Sequence, residues 1–190
     1  MKRRIVTVLI VVLVAIGTWQ CGHGAWIYVK AQLAQYLLQH AWVRTMNGEQ
    51  HVKPWSWADT WPVVRLHAPR HGMDLIVLAG ASGRTLAFGP AVVNDRIEKD
   101  LGSTMVISGH RDTHFKFLQR LSNGDELLIE RPGQIRRAYR VIDTQVIDSR
   151  TIGILDNPDP DQLLLVTCYP FDAIMPGGPL RYVVTAEKVK

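Results

Sequence analysis

Hydrophobic positions divide the chain into two parts with different patterns. Ile5 to Ile16 is an apolar run broken only by Thr7, and no charged residue follows until Lys30. A helix over residues 5–29 would be about 37 Å long, which is enough to cross the ~30 Å hydrocarbon core of a bilayer with some tilt. The N-terminal part is therefore predicted to be a membrane-spanning helix.

From Val63 onward the pattern changes to short apolar runs separated by turn residues, which is typical of an all-β domain. The predicted strands are residues 63–66, 74–79, 105–108, 125–131, 136–146, 162–167 and 180–188. Pro132-Gly133 predicts a turn between two of them. Residues 91–101 and 115–121 are predicted to form short helical turns.

Residues 31–62 connect the two parts. Ala31 to Val43 is predicted to be an amphipathic helix, because apolar-face residues recur at helical spacing at Leu33, Tyr36, Leu37, His40 and Ala41. Residues 53–62 contain Trp55, Trp57 and Trp61 and follow no period; they suit a membrane-interface belt, an accessory ligand surface or, preferred here, irregular chain packed on the domain. The predicted domains are thus residues 1–30 (anchor), 31–62 (helical and Trp/Pro-rich linker) and 63–190 (β domain).

Charge refines the picture of the N-terminal part. The chain has 22 Lys and Arg against 17 Asp and Glu, and Lys2, Arg3 and Arg4 precede the apolar run. By the positive-inside rule the N-terminus is cytoplasmic and the rest of the chain lies outside. A cleaved signal peptide, cut after small residues near positions 15–17 or 22–24, is the alternative to this uncleaved anchor. The remaining basic residues form no stripe, so nucleic-acid binding is not expected.

The two cysteines are predicted to remain unpaired. Cys21 falls at the outer end of the apolar segment, whereas Cys168 lies deep in the β domain. Gln20 argues against lipidation of Cys21, because a lipoprotein signal places a small residue before its cysteine. A lone thiol at Cys168 in an oxidising compartment calls for a functional reason.

Two strand-like runs end in residues that suit acyl transfer. Residues 105–108 lead through Gly109 to His110, and residues 163–167 lead to Cys168. A cysteine and a histidine at one sheet edge would allow thiolate attack on a carbonyl, with the imidazole protonating the leaving amine. Arg181 opens the last strand and would offer a rigid fork of donors to the oxyanion. Singly, each has a plain structural reading as a buried thiol, a rim histidine or a solvated charge.

Together these segments resemble the sortase signature in its usual order. They are Ile107 to Thr113 around Gly109-His110, Leu164 to Cys168 ending in Thr-Cys, and Arg181 to Val184; residues 81–90 also resemble the sortase segment ahead of the histidine strand. The interval from Cys168 to Arg181, 181 − 168 = 13, is longer than in the commoner classes. It is similar to that of the Gram-negative (proteobacterial) class, and it leaves the substrate motif open.

The resemblance implies a closed eight-stranded β-barrel with short helices, preceded by the transmembrane helix. It implies a cysteine transpeptidase that cleaves an LPXTG-like sorting signal after its threonine, forms a thioester on Cys168 and passes the acyl group to an amine. His110 would protonate the leaving nitrogen and Arg181 would stabilise the carbonyl oxygen, with no cofactor. The implied partners are an exported protein with a C-terminal sorting signal and an acceptor amine, at the outer, periplasmic side of the cell membrane.

Four other readings remain open at this stage. An L,D-transpeptidase or a cell-wall peptidase also uses Cys and His, but Val166-Thr167 replaces the expected Ser-x-Gly before the cysteine. His110 and His114 have the spacing of a helical zinc pair, without the glutamate of a zincin. Residues 156–161 are acidic enough for calcium, without the glycine and final glutamate of an EF-hand. A non-catalytic membrane-tethered scaffold would need no accessible thiol.

Overall fold

The computed structural model describes residues 2–93, 104–150, 161–175 and 177–189. They form two compact units, residues 1–37 and 38–190. Helix α1 runs without a break from Lys2 to Met46. By length and composition it is a candidate membrane span, a criterion that an N-terminal signal sequence also meets. The division of the chain at residues 30 and 62 stays a prediction.

The end of α1 corrects the predicted amphipathic stripe. Within the larger unit the buried positions of the helix are Leu38, Ala41, Trp42 and Thr45, whereas His40 is exposed. These buried positions follow the i, i+3, i+4, i+7 spacing of a single helix face. Leu38 and Trp42 pack with Ile76, Leu78 and Ala91, so the buried stripe includes these two residues, which were not predicted, and does not include His40.

Eight strands lie within the described residues and close into a barrel, which confirms the predicted all-β architecture. Their bounds are β1 Pro62–Ala68, β2 Met73–Ala79, β3 Ala91–Val92, β4 Met105–Ser108, β5 Glu126–Arg131, β6 Ile135–Asp148, β7 Gln162–Cys168 and β8 Leu180–Lys188. Around the barrel they are ordered β1-β2-β3-β4-β7-β8-β6-β5. The β2–β3 and β4–β7 pairs are parallel, and the other described pairs are antiparallel.

The barrel interior is filled by alternate residues of its strands. Leu66, Ile107, Ile129, Leu165 and Val184 have no exposed surface and belong to one core cluster. A second cluster is formed by residues that alternate with these core positions along β4, β7, β8 and β6. Its members are Val106, Leu164, Val166, Val183 and Ile147. Since side chains alternate between the faces of a strand, this second cluster lies on the outer face of the sheet.

The predicted strands are all present, with bounds that differ by at most two residues. One predicted helical turn is wrong at its start, because Ala91–Val92 is strand β3, and residues 94–101 of it lie outside the described residues. The other predicted turn is a 3₁₀ helix, Lys116–Arg120. Helix α2 (Gly83–Leu86) and the 3₁₀ helix Pro69–His71 were not predicted.

The prediction that the tryptophans of residues 53–62 pack on the domain is confirmed only in part. Trp55 packs edge-to-face on Phe88 at 4.8 Å between ring centroids, and Trp61 packs on His51 at 4.6 Å. Trp55 therefore packs on the β domain, as preferred, whereas the ring contact of Trp61 is with another residue of the linker. Trp57 is 83% exposed, so this indole does not pack on the domain.

Candidate active site

The three residues singled out in the sequence lie at the ends of three adjacent strands. Strand β7 is parallel to β4, with Ser108 opposite Val166, and antiparallel to β8, with Cys168 directly opposite Arg181. Directly opposed residues of antiparallel strands have Cβ atoms about 5 Å apart. His110 follows β4 by two residues, at the edge where β7 ends. The barrel therefore brings Cys168 and Arg181 together and delivers His110 to the same edge.

The strand alternation also tells on which face the site lies. Cys168 continues the outer-face series of Leu164 and Val166, and Arg181 continues that of Val183. Cys168 is a free thiol of intermediate exposure. The thiol is thus reachable from outside the barrel instead of being buried in its core.

Backbone and hydroxyl contacts hold the histidine segment against β7. The Gly109 amide donates to the Val166 carbonyl at 3.1 Å, which extends the β4–β7 ladder by one bond. The buried Thr167 hydroxyl donates to the Gly109 carbonyl at 2.7 Å. Thr167, the residue before the thiol, thus fixes the residue before the imidazole.

Gly109 is required by a close approach rather than by its backbone conformation. A Cβ atom at this position would lie 2.8 Å from Cγ of Phe115, whose side chain is fully buried. Such a distance is well inside van der Waals contact, so the ring or the segment before His110 would have to move.

We expect Gly109→Ala to lower the free energy of unfolding by about 1–3 kcal/mol, a typical cost of overpacking, and to reduce catalysis by displacing His110. Thermal unfolding and the rate of acyl-enzyme formation measure the two effects. Gly83→Ala is the matched control, because nothing lies within 4 Å of a Cβ at Gly83. Equal unfolding temperatures for both variants would contradict the steric argument.

Arg181 is anchored by one end of its guanidinium. Its Nη1 donates to the carbonyls of Gly178 at 2.6 Å and Leu180 at 2.9 Å. Both described hydrogen bonds of the side chain use this nitrogen, so the fork retains Nε and Nη2 for a substrate oxygen. The neighbouring carboxylate of Asp148 is engaged by Arg150, whose hydrogen bonds hold the pKa of Asp148 at about 2, with a smaller contribution from the charge of Arg181.

Sequence reasoning gave no role to Arg111, the residue after the histidine. Its Nη2 donates to the carbonyls of Ala173 at 2.7 Å and Met175 at 3.3 Å. Both acceptors lie in the loop between β7 and β8, which separates Cys168 from Arg181. Arg111 therefore ties this loop to the histidine segment. The Gly-His-Arg order was visible in the sequence, but no local pattern indicates a contact 62 residues away.

An aromatic cluster beside the site was also not predicted. Phe171 packs edge-to-face on Tyr182 at 5.2 Å, and Tyr169 stacks on Tyr182 at 6.3 Å between centroids. Phe171 and Tyr182 are partly buried against the barrel core. The cluster thus packs the start of the β7–β8 loop onto the strand that carries Arg181.

His110 and His114 are the two histidines whose spacing suits a zinc pair. Burial lowers the pKa of His114, the charge of His110 lowers it further, and Asp112 opposes both. Thr113 Oγ1 lies 3.4 Å from His114 Nδ1. Within the described ranges no group of three or more His, Cys, Asp or Glu side chains is placed to hold a metal ion. Of the proposed calcium stretch, residues 156–160 lie outside the described residues.

Comparison with known proteins bears on the family and the fold of this chain. The family model described as "Sortase domain" matches residues 66–189. Sortase D of Bacillus subtilis is 29% identical to this chain over 126 residues. The matched region covers 65% of this chain and 62% of that relative, so it spans less than two thirds of the relative's length.

Solved structures show the same fold. Sortase A from Corynebacterium diphtheriae superposes with a TM-score of 0.60 at 20% identity, covering 83% of this chain and 84% of that one. Sortase C-1 from Actinomyces oris gives 0.57 at 26% identity, covering 68% and 73%. With a family model that matches well over half of its length, the chain belongs to the sortase family.

Proposed function

We propose that the protein is a cysteine transpeptidase that acts through Cys168, His110 and Arg181. The observation that carries this proposal is the pairing of Cys168 with Arg181 across β7 and β8, at the edge where Gly109 and Thr167 hold the histidine segment. Membership of the sortase family supports the same reaction class. An L,D-transpeptidase or a cell-wall peptidase has no such support.

In the proposed reaction the Cys168 thiolate attacks the scissile carbonyl carbon of a peptide. The carbonyl π electrons move to oxygen, and the oxyanion accepts hydrogen bonds from Arg181. When the carbonyl re-forms, the C–N bond breaks and His110 gives its proton to the departing nitrogen. The acyl group then rests on Cys168 as a thioester. An incoming amine attacks this thioester, His110 takes the amine's proton, and the thiolate leaves.

The finer features of the substrate follow from the family resemblance. We propose an LPXTG-like sorting signal at the C-terminus of an exported protein, cut after threonine, and an amine as acceptor. The side chains named above supply all of the proposed steps, so the proposal includes neither a cofactor nor calcium. The long interval between Cys168 and Arg181 supports placement in the Gram-negative class.

The proposed location follows from α1. Lys2, Arg3 and Arg4 precede its apolar segment, which supports a cytoplasmic N-terminus and a catalytic domain on the periplasmic side. Protease protection of spheroplasts measures this sidedness. A catalytic domain that resists protease until the membrane is broken would contradict it.

The direct test uses the full chain and a pool of peptides that vary the first, third and fifth positions of LPXTG. We expect intact-mass spectrometry to show a thioester adduct on the wild type, and hydroxylamine, a small amine nucleophile, to release it as a hydroxamate. A folded wild-type chain that acquires no adduct from any member of the pool would contradict the proposed function.

We expect His110→Ala to slow acyl-enzyme formation by about 10²–10⁴-fold, because the leaving amine then lacks its proton donor. His114→Ala is the matched control and is expected to stay within about tenfold of wild type, since His114 has no part in the proposed steps. Quenched-flow mass spectrometry measures both rates. Equally severe losses that added zinc restores would favour the metal site instead.

A further inference from the structure

We propose that a cavity beside β1 and the β5–β6 turn binds a small molecule with a carboxylate or phosphate group on an apolar body, through the guanidinium of Arg131. The cavity has a volume of about 450 Å³. It is lined by Thr45 in the last turn of α1, by residues 48–51 that follow the helix, by residues 61–64 at the start of β1 and by the turn that joins β5 to β6. All of these residues belong to the larger of the two units.

Arg131 is a buried cation with no counterion among the described residues. It is the last residue of β5, on the same side of the strand as the core residues Leu127 and Ile129, and only 8% of its surface is exposed. Its Nε is buried and has no hydrogen-bond partner in the part of the chain that the structure describes. Among the residues that the structure describes, no carboxylate forms a salt bridge with Arg131. A buried guanidinium in this condition is strongly unfavourable until an anion reaches it.

The electrostatic surroundings of Arg131 point the same way. Burial lowers its pKa, and the positive charge of Arg137 lowers it further, against a smaller opposing effect of Tyr139. The one acidic residue lining the cavity, Glu49, is exposed and accepts a hydrogen bond from Arg44 Nε at 2.9 Å. Its charge is thus already balanced, and an external anion is the group that would complete the site.

The rest of the lining indicates an apolar body on that anion. Trp61, Pro62, Val63, Pro132 and Ile135 also line the cavity. The volume lies in the range of about 300–1,000 Å³ typical of small-molecule sites and exceeds what an inorganic oxyanion occupies. Carboxylate and phosphate are the groups that match the planar donor fork of arginine.

The cavity is distinct from the candidate active site. In the order of strands around the barrel, β5 is four strands from β4 in either direction, three from β7 and two from β8. Two sources have the required chemistry: a soluble carboxylate or phosphate ester, and the phosphate of a membrane lipid. Thr45, which lines the cavity, belongs to the same helix as the candidate membrane span, so both sources enter the test.

The test uses the full chain in phosphatidylcholine nanodiscs and phenyl phosphate as the probe. We expect calorimetry to detect binding that Arg131→Met weakens by at least about tenfold, because the bidentate partner is lost. Benzyl alcohol and inorganic phosphate should each bind at least about tenfold more weakly than phenyl phosphate, since each lacks one half of the recognised chemistry. The same titration is repeated at high salt in nanodiscs of phosphatidylglycerol, an anionic lipid, and of phosphatidylcholine, a zwitterionic one. Weaker binding of phenyl phosphate in phosphatidylglycerol would identify an anionic lipid phosphate as the occupant, and equal affinity in the two lipids would identify a soluble one.

Arg136→Met is the matched control, because it removes the same charge from the same hairpin at a side chain that is 75% exposed and does not line the cavity. Equal affinity for phenyl phosphate in Arg131→Met and wild type, or equal affinity for benzyl alcohol, would overturn the proposal. If Arg131→Met does not fold, the nitrogen-15 resonance of Arg131 Nε is followed in the wild type during titration with phenyl phosphate. A shift on titration supports the site, and an unchanged resonance overturns it.

Discussion

Cys168→Ala is expected to abolish acyl-enzyme formation, with a loss of at least about 10⁴-fold in turnover, because the substitution removes the nucleophile that forms the thioester. The substitution should change the free energy of unfolding by less than about 1 kcal/mol, since the thiol lies half-exposed on the outer face of the barrel. Intact-mass spectrometry with the peptide pool and thermal unfolding measure the two quantities.

The chain contains its own control for this variant. Cys21, the other free cysteine, is exposed on α1 and outside the barrel. Cys21→Ala should keep full activity and should still take up one iodoacetamide group, at Cys168. A Cys168→Ala chain that still accumulates a covalent adduct, or a thiol at Cys168 that resists alkylation in the folded protein, would remove this residue from the reaction.

Arg181→Ala is expected to reduce the rate of acyl-enzyme formation by at least about 10²–10³-fold, the usual cost of losing one oxyanion donor. Arg181→Lys should resemble Arg181→Ala to within about tenfold, because an ammonium cannot replace a planar fork. In this structure Nη1 is already engaged with the carbonyls of Gly178 and Leu180. A single ammonium group cannot hold these carbonyls and also reach a substrate oxygen.

Arg150→Ala separates this role from a general effect of charge. Arg150 is an exposed cation close to the same strand end, and it binds Asp148 through Nε at 3.0 Å and Nη2 at 2.6 Å. Its loss should leave the rate near that of wild type, while Cys168 stays alkylatable in all three variants. Near-normal rates in both Arg181 variants would mean that this side chain is a solvated charge.

The strands of the barrel could be predicted because their signal is local. Apolar runs such as Met105–Ser108 and Leu180–Lys188 have the bounds that the sequence indicates. Strand β3 was missed because two residues are too few to show a period. The stripe on α1 was misplaced because apolar side chains occur on more than one face of this part of the helix. Only packing selects Leu38 and Trp42 among them.

The candidate site could be predicted only in part. Its residues can be recognised from local sequence patterns, but their relative positions depend on contacts between distant parts of the chain. Each reactive side chain follows a recognisable run, which is why Cys168 and His110 could be selected. Their relation depends on the parallel pairing of β4 with β7, whose partners are about 58 residues apart in sequence. The steric demand of Phe115 on Gly109 and the contact of Arg111 with the β7–β8 loop arise only once the barrel closes.

The contact of Arg111 with Ala173 and Met175 bears on protein engineering. Exchanging the β7–β8 loop between relatives is an obvious route to new substrate preferences, and it treats the loop as a self-contained module. Here two backbone carbonyls of the loop accept hydrogen bonds from Arg111, which lies outside it. The side chains of Ile174 and Met175 at the tip of the loop are 97% and 80% exposed. Side chains at the tip can therefore vary without loss of the hydrogen bonds to Arg111. A transplanted loop of different length needs the residue after the histidine to be chosen with it.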